Sequence, residues 1–296
     1  MIQCFVLGNH MASFWSQNFD YLYFVYGLSF VLLASICIIL RRADRTIAWQ
    51  WLGLFGIVHG INEWLDMLAI SVGDSFYFKL TRLVIMALSY VFLLEFARRW
   101  YNRNRPAIAA YWYIFPLLIL LAIGFVDRNI NWFNAASRYV LGFAGSLLAG
   151  FVLLKTACPA DCKRRFGVIL AAGSFLTYAL ATGLVVPKAA IFPATCLNYD
   201  SFFAVCGFPV QLIRMLCALT AMTGLWLYLP RPVNETASQR ILHKLVSPAI
   251  FIIVILLGWF ATEWRGKSLD SDLRDRLLMD TMSIAGTISP EQVKQL

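Results

Sequence analysis

The second apolar stretch of the chain carries the side chains best suited to chemistry. His59, Glu63 and Asp66 are spaced at i, i+4 and i+7, so a helix places all three on one face, with Asn62 beside them. An ionisable side chain at bilayer depth costs about 2.5–3.5 kcal/mol on insertion scales and normally faces a bundle interior. This face predicts either a ligand-binding or proton-sensing pocket or a buried polar network that fixes helix packing.

Two kinds of neighbour are expected for this polar face. Gly56 and Gly60 form a GxxxG pattern, which lets the backbone of another helix approach closely. Arg82, at the start of the third apolar stretch, and Arg214, in the seventh, are the candidate cationic partners of the acidic side chains. Glu63 is expected to matter most, because it lies on the acidic face beside both glycines.

Metal, haem and nucleophilic chemistry find little support in the sequence. His59 and its acidic neighbours offer ligand atoms, but other residues would have to complete a metal site. A bis-histidine haem would need a second histidine at matched depth, whereas His10 and His243 lie outside the apolar stretches. No Ser or Cys stands beside a His in a nucleophile motif. We therefore predict no metal, no cofactor and no catalytic residue.

The elements that position these side chains are predicted to be membrane helices. Of 296 residues 60% are hydrophobic and 14% charged, and the mean hydropathy is +0.69, which is typical of an integral membrane protein. The apolar runs lack the alternation of a barrel strand. Windows of about 20 residues would fill over half the chain and leave no room for a nucleotide-binding or kinase fold. The windows are 21–40, 48–72, 80–96, 109–126, 135–154, 166–186, 210–229 and 246–260.

The charged connections predict the orientation of these helices. Lys and Arg cluster in the first, third, fifth and seventh connections, so the net charge of +9 indicates topology and not nucleic-acid binding. By the positive-inside rule these loops face the cytoplasm. We expect an all-α polytopic bundle of about eight transmembrane helices with both termini outside. Residues 1–20, without Lys, Arg or a cleavage site, are expected to form an outward segment before an uncleaved span.

The connection at residues 187–209 is expected to lie at the outer surface. Its apolar and aromatic part is interrupted by proline, which suits an interfacial or re-entrant position better than a span. Cys196 and Cys206 share this outward segment, where an oxidising compartment permits a disulfide, and we predict that they form one. The candidate functional residues of the loop are Phe192, Pro193 and Asn198.

Three motifs, in this order, resemble a known family. They are His59-Gly60-Ile61-Asn62-Glu63-Trp64 followed by Asp66, Phe192-Pro193-Ala194 followed by Leu197-Asn198, and Gly207-Phe208-Pro209-Val210-Gln211-Leu212-Ile213-Arg214. Over nearly its whole length the chain resembles the N-terminal multi-helix membrane sensor region of bacterial multidomain sensor histidine kinases, often hybrid kinases with PAS domains. The resemblance implies signal input across the inner membrane. It also implies a homodimer and kinase domains later in the same polypeptide.

The sequence departs from a complete member of that family. It lacks the phosphoacceptor His region, the ATP-binding lid and the PAS domains, so kinase activity does not carry over, and no ligand is implied. After the eighth window, Leu273, Leu277, Ile284 and Ile288 form an apolar stripe. A capping box at residues 289–292 then opens a new helix. We expect a transmembrane sensor bundle at 21–264, and the start of a truncated extracytoplasmic helical sensing domain at 265–296.

These patterns predict the membrane-embedded signal-input module of a bacterial two-component sensor kinase, multi-pass in the inner membrane. Its expected partners are the lipid bilayer, a second copy of the chain and kinase domains in cis, with no nucleic acid. The alternative is a small-solute membrane transporter or permease that uses the same polar cluster as its site. A membrane enzyme lacks a motif.

Overall fold

The fold is all-helical throughout the part of the chain that the structure describes. The computed structural model describes residues 2–102, 130–157 and 162–229, together with residues 260, 263, 271 and 273–283. The chain divides into two compact units, 1–235 and 236–296. In the described residues the only strand-like pairing is an isolated bridge between Val186 and Asn198, so the all-α prediction is confirmed. In the second unit, residues 273–283 form an exposed helix.

The first unit contains eight described α-helices and one π-helix. Among the described residues, five helical stretches are long and apolar enough to cross a membrane: Asn18–Ala43, Phe76–Tyr101, Ile130–Thr156, Cys162–Gly183 and Val210–Tyr228. The predicted window 109–126 and nearly all of 246–260 lie outside the described residues. The helices are α1 (Ile2–Ala43), α2 (Trp49–Val72), α3 (Phe76–Tyr101), α4 (Ile130–Ser137), the π-segment (Arg138–Phe143), α5 (Ala144–Thr156), α6 (Cys162–Gly183), α7 (Tyr199–Cys206) and α8 (Val210–Tyr228).

Helix α1 is longer than the sequence suggested. It begins at Ile2, so residues 2–20, expected as a separate outward segment, continue directly into the first apolar stretch. No proline interrupts residues 2–43, and proline is the residue that most strongly breaks a helix interior. The expected segment is therefore a helical extension of α1.

Close helix packing rests on the predicted glycine pair of α2. A Cβ atom at Gly56 would lie 2.6 Å from the carbonyl oxygen of Phe30, and one at Gly60 would lie 2.8 Å from that of Gly27. Only glycine lets the backbones of α1 and α2 approach this closely. The GxxxG prediction is confirmed, and α1 is the helix that it admits.

The two ends of the first unit differ in charge. One end, the arginine-rich end, contains the last turns of α1 and α3 and the start of α6. At this end, Tyr228 of α8 connects the residue after α1 to the start of α6. Its hydroxyl donates to Asp44 (3.0 Å), and its carbonyl oxygen accepts from Arg164 Nε (3.2 Å). The opposite end, the loop end, contains the α2–α3 connection, residues 184–198 and α7. The basic residues of the arginine-rich end are Arg41, Arg42, Arg45, Arg98, Arg99, Lys155, Lys163, Arg164 and Arg165.

Candidate functional site

His59 is fully buried, and its hydrogen bonds define which ring nitrogen carries the proton. The Ser89 hydroxyl donates its single hydrogen to the carbonyl oxygen of Met86 (2.6 Å). Ser89 Oγ must therefore accept from His59 Nδ1 (2.9 Å). The other nitrogen, Nε2, lies 2.8 Å from the Tyr178 hydroxyl and 3.3 Å from Glu63 Oε1. His59 can thus gain or lose a proton only at Nε2, between Tyr178 and Glu63.

Aromatic rings surround this histidine. The ring centroids of Phe30, Phe55 and Tyr90 lie 4.7, 5.2 and 5.4 Å from that of His59. Because these rings exclude water, the polar contacts of His59 act at low dielectric, where a hydrogen bond is stronger and an unpaired polar group is costlier. The residues of α2 that follow toward the arginine-rich end, Phe55, Leu52 and Trp49, are themselves fully buried.

Glu63 does not have the cationic partner that its sequence position suggested. Its nearest ionisable neighbour is His59, whose Nε2 lies 3.3 Å from Glu63 Oε1, and Asn62 is adjacent to it on α2. Arg82 instead forms ion pairs with Asp66 and with Asp74, the second at 2.6 Å. Arg82 is therefore a cationic partner of the acidic face, as predicted, but through Asp66, and neither Arg82 nor Arg214 forms an ion pair with Glu63.

Arg214 is occupied by backbone carbonyls. Its Nε and Nη2 donate to the Ala181 oxygen (3.1 and 2.8 Å), and Nη2 also donates to the Val185 oxygen (2.6 Å). Nη1 donates to the Tyr199 hydroxyl (3.2 Å). The last carbonyls of a helix lack intrahelical partners, and a cation there is favourable. Arg214 therefore caps α6 and joins α8 to it.

Arg138 is the functional candidate that the sequence reasoning missed. It is buried, and it is the first residue of the π-segment, a helix form found frequently at functional sites. Its Nε donates to Asn134 Oδ1 (2.9 Å) and its Nη1 makes a long contact with the Tyr90 hydroxyl (3.5 Å). A single arginine inside the apolar window 135–154 was the available signal.

A polar cavity of about 330 Å³ brings these groups together. It opens at the loop end beside the exposed Asp74 and Lys79, and it reaches inward to Glu63. His59 lies behind Glu63 and does not line it. Of the predicted site residues, the cavity unites Asn62, Glu63, Asp66, Arg82 and Arg214. Its further polar lining is Tyr23, Asn131, Asn134, Arg138, Tyr199 and Gln211.

The candidate residues of the outer loop do not line this cavity. Phe192 is exposed, and the Phe192–Pro193 peptide bond is cis. Asn198 is the N-cap of α7, because its side chain accepts from the backbone N–H groups of Asp200 and Ser201 (3.1 and 3.0 Å). A capping box accounts for Asn198 structurally.

The structure does not contain the predicted Cys196–Cys206 disulfide. Both thiols are free and exposed. Cys206 is the last residue of α7, whereas Cys196 precedes the N-cap Asn198 of that helix.

Known proteins do not supply a function for this site. Among the described residues, no group of three or more His, Cys, Asp or Glu side chains could hold a metal ion. No protein-family model, curated protein or solved structure matches the chain. What the protein does is therefore inferred from the polar cavity and the two ends of the bundle.

Proposed function

We propose that the chain is a multi-pass signal-input module whose polar cavity receives a small polar ligand from outside the cell. The observation that carries the proposal is a buried cavity lined by charged side chains. It extends from Asp74 and Lys79 at the loop end inward to Glu63. A cavity of this volume lies at the lower end of the range for small-molecule sites. Kinase domains in cis and a homodimer, as in bacterial sensor histidine kinases, would supply the output.

The charge difference between the two ends supports the orientation. The arginine-rich end carries nine described basic residues, most of them at four helix termini, whereas the described basic residues toward the loop end are Lys79, Arg82, Lys188 and the buried Arg138 and Arg214. By the positive-inside rule the arginine-rich end faces the cytoplasm. The proposal therefore includes an eight-span topology in the bacterial inner membrane with both termini outside, and it makes the cavity accessible from the exterior.

The closed floor of the cavity favours a receptor over a permease. A ligand that enters beside Asp74 can reach Glu63. Behind Glu63 the interior of the bundle is occupied by His59 and by fully buried aromatic side chains. Such a ligand would contact α2, α3 and the π-segment together. A ligand shifts the equilibrium between two conformations only if it binds one of them more tightly. Because this ligand would contact three elements at once, a movement of one element relative to the others would change its affinity.

A route for the signal is available along the helix that contains Arg138. This helix runs from the cavity through the π-segment into α5, which ends at the arginine-rich end. A ligand that attracts Arg138 would act on the first residue of the π-segment. The expected response is a displacement of α5 relative to α1.

Distance measurements and solute flux test the proposal together. Spin labels are attached at Ile39 of α1 and Phe151 of α5, both exposed, in a cysteine-free background in nanodiscs. L-serine, lactate, glucose and inorganic phosphate serve as probes. A probe-dependent change in label distance, without accumulation of that probe in proteoliposomes, is expected. Accumulation would favour the permease, and an unchanged distance with every probe would overturn the sensor proposal.

A further inference from the structure

The deep part of the polar cavity carries an excess of positive charge. Near the mouth, Asp66 and Asp74 face Arg82 and Lys79 in a chain of ion pairs, so two acids balance two bases. Farther in, Arg138 and Arg214 face one acid, Glu63, and neither arginine forms an ion pair with a described carboxylate. Buried charges are normally paired. This part of the cavity therefore suits an anion.

The two deep arginines are not equivalent. Arg214 uses Nε and both terminal nitrogens on carbonyl oxygens and the Tyr199 hydroxyl. Arg138 holds its Nε on Asn134, reaches Tyr90 only at 3.5 Å, and donates from Nη2 to no described residue. A guanidinium whose terminal nitrogens face a cavity matches a carboxylate, which accepts two parallel hydrogen bonds. Arg138 is thus the better anion receptor.

Asn62 supplies an independent indication of a ligand. Its side chain is 2% exposed and lines the cavity, yet its Oδ1 atom has no hydrogen-bond partner among the described residues. Buried polar atoms are nearly always hydrogen-bonded, and an amide oxygen can only accept. The missing partner must therefore donate a hydrogen bond, and the adjacent carboxyl of Glu63 would accept from the same donor.

We infer that the polar cavity binds a small carboxylate that also carries an amino or hydroxyl group, of the amino-acid or hydroxy-acid class. Arg138 holds the carboxylate, and Asn62 with Glu63 receives the donor group. The cavity of about 330 Å³ admits a molecule of this size and excludes a peptide or a lipid. This inference rests on the proposed function in that it names the ligand of the same cavity.

Binding to the full chain in nanodiscs tests the ligand class. The probes are L-serine and lactate, with ethanolamine lacking the carboxylate, propionate lacking the donor group, and inorganic phosphate as a different anion. We expect serine or lactate to raise the unfolding temperature in a saturable way, propionate to bind at least tenfold more weakly, and ethanolamine not to bind. Equal binding of ethanolamine, or binding of phosphate alone, would overturn the inference.

Variants of Arg138 test the receptor. Arg138→Gln should abolish carboxylate binding, and Arg138→Lys, which keeps the charge but loses the planar fork, should weaken it at least tenfold. Arg99→Gln, at the arginine-rich end, is the matched control and should bind as the unmodified chain does. If Arg138→Gln fails to fold, Arg138→Lys decides, and its undiminished affinity would overturn the assignment.

The outcomes separate this inference from the function beneath it. Carboxylate binding without a change in the distance between labels at Ile39 and Phe151 would overturn the sensor proposal and leave the ligand class standing. A distance change produced by glucose or phosphate, with no carboxylate binding, would overturn the ligand class and leave the sensor proposal standing.

Discussion

The two ends of the first unit use arginine in different ways. At the arginine-rich end the side chains of Arg41, Arg42 and Arg45 are exposed and stand among other cations. On the loop-end side, Arg138 and Arg214 are buried and each is oriented by named acceptors. Exposed charges interact weakly because water screens them, whereas buried ones must be matched. In the proposed function, the first kind would set the orientation in the membrane and the second would set the ligand that the cavity recognises.

The largest expected difference between the ends is their accessibility from outside. Native thiols report it, because Cys196 and Cys206 are exposed at the loop end and Cys162 is exposed at the start of α6, at the arginine-rich end. An impermeant maleimide applied to spheroplasts should modify the first two completely, and Cys162 only after permeabilisation. Peptide mass spectrometry measures both.

The reverse labelling pattern would refute the orientation. Reaction of Cys196 and Cys206 only after addition of a reductant would instead show that they are oxidised in the cell, which the free thiols of the structure do not predict.

Removal of a buried arginine should have the next largest effect. Arg214→Met leaves the Ala181 and Val185 carbonyls and the Tyr199 hydroxyl without their donor, and we expect a loss of about 3–5 kcal/mol in the free energy of unfolding. Arg99→Met, whose side chain is about half exposed, should cost about 1 kcal/mol or less. Denaturant unfolding in detergent compares them, and equal losses would remove the distinction between the two ends.

Glu63→Gln should cost less than its position in the bundle suggests. No described arginine forms a direct ion pair with Glu63, and a glutamine retains a polar partner for His59 Nε2 at the 3.3 Å contact. We expect a loss of about 1 kcal/mol together with an altered response to ligand in the label-distance measurement. A loss as large as that of Arg214→Met would indicate that Glu63 is chiefly a packing residue, and no change in either measurement would exclude both roles.

The smallest expected effect concerns Asp44 at the arginine-rich end. Partial burial alone would raise the pKa of this carboxyl, but hydrogen bonds from Thr46 and Tyr228 lower it below its ordinary value. A lowered pKa in the folded state stabilises the fold above the unfolded-state pKa, near 3.8, and that stability disappears as pH falls through the folded value.

Asp44→Asn should therefore reduce stability slightly at neutral pH and remove a small part of the acid sensitivity below about pH 4. Unfolding midpoints measured from pH 3 to 7 check this, with Asp200→Asn, at the loop end, as the control. Identical pH profiles for the two variants would contradict the role given to the Thr46 and Tyr228 hydrogen bonds.

The sequence predicted the polar face of α2 and its close approach to another helix, because both depend on spacing along one helix. It predicted Arg82 as a cationic partner of the acidic face, but it could not predict which carboxylate Arg82 pairs with or what Arg214 contacts. Arg214 binds backbone carbonyl oxygens. Every residue has such an oxygen, so the residue types in the sequence do not indicate this contact. Arg82 is nearer Asp66 and Asp74 than Glu63 because of the depth at which α3 packs. The sequence analysis of the two cysteines did not include the capping box of Asn198 and Ser201, which starts a helix that ends at Cys206.

The π-segment has a consequence for how faces are assigned along residues 130–156. A π-turn contains one more residue than an α-turn, and one residue corresponds to about 100° around a helix axis. Asn134 and Arg138 face the cavity, and Gly145 faces α3. Because the π-segment lies between these two faces, their residues follow helical wheels that are out of phase by about one residue. A helical wheel drawn through all 27 residues assigns one half to the wrong neighbours. Deletion of a single residue between Arg138 and Phe143 is therefore expected to convert the π-turn into a regular α-helix while the side chains of α5 keep their present neighbours.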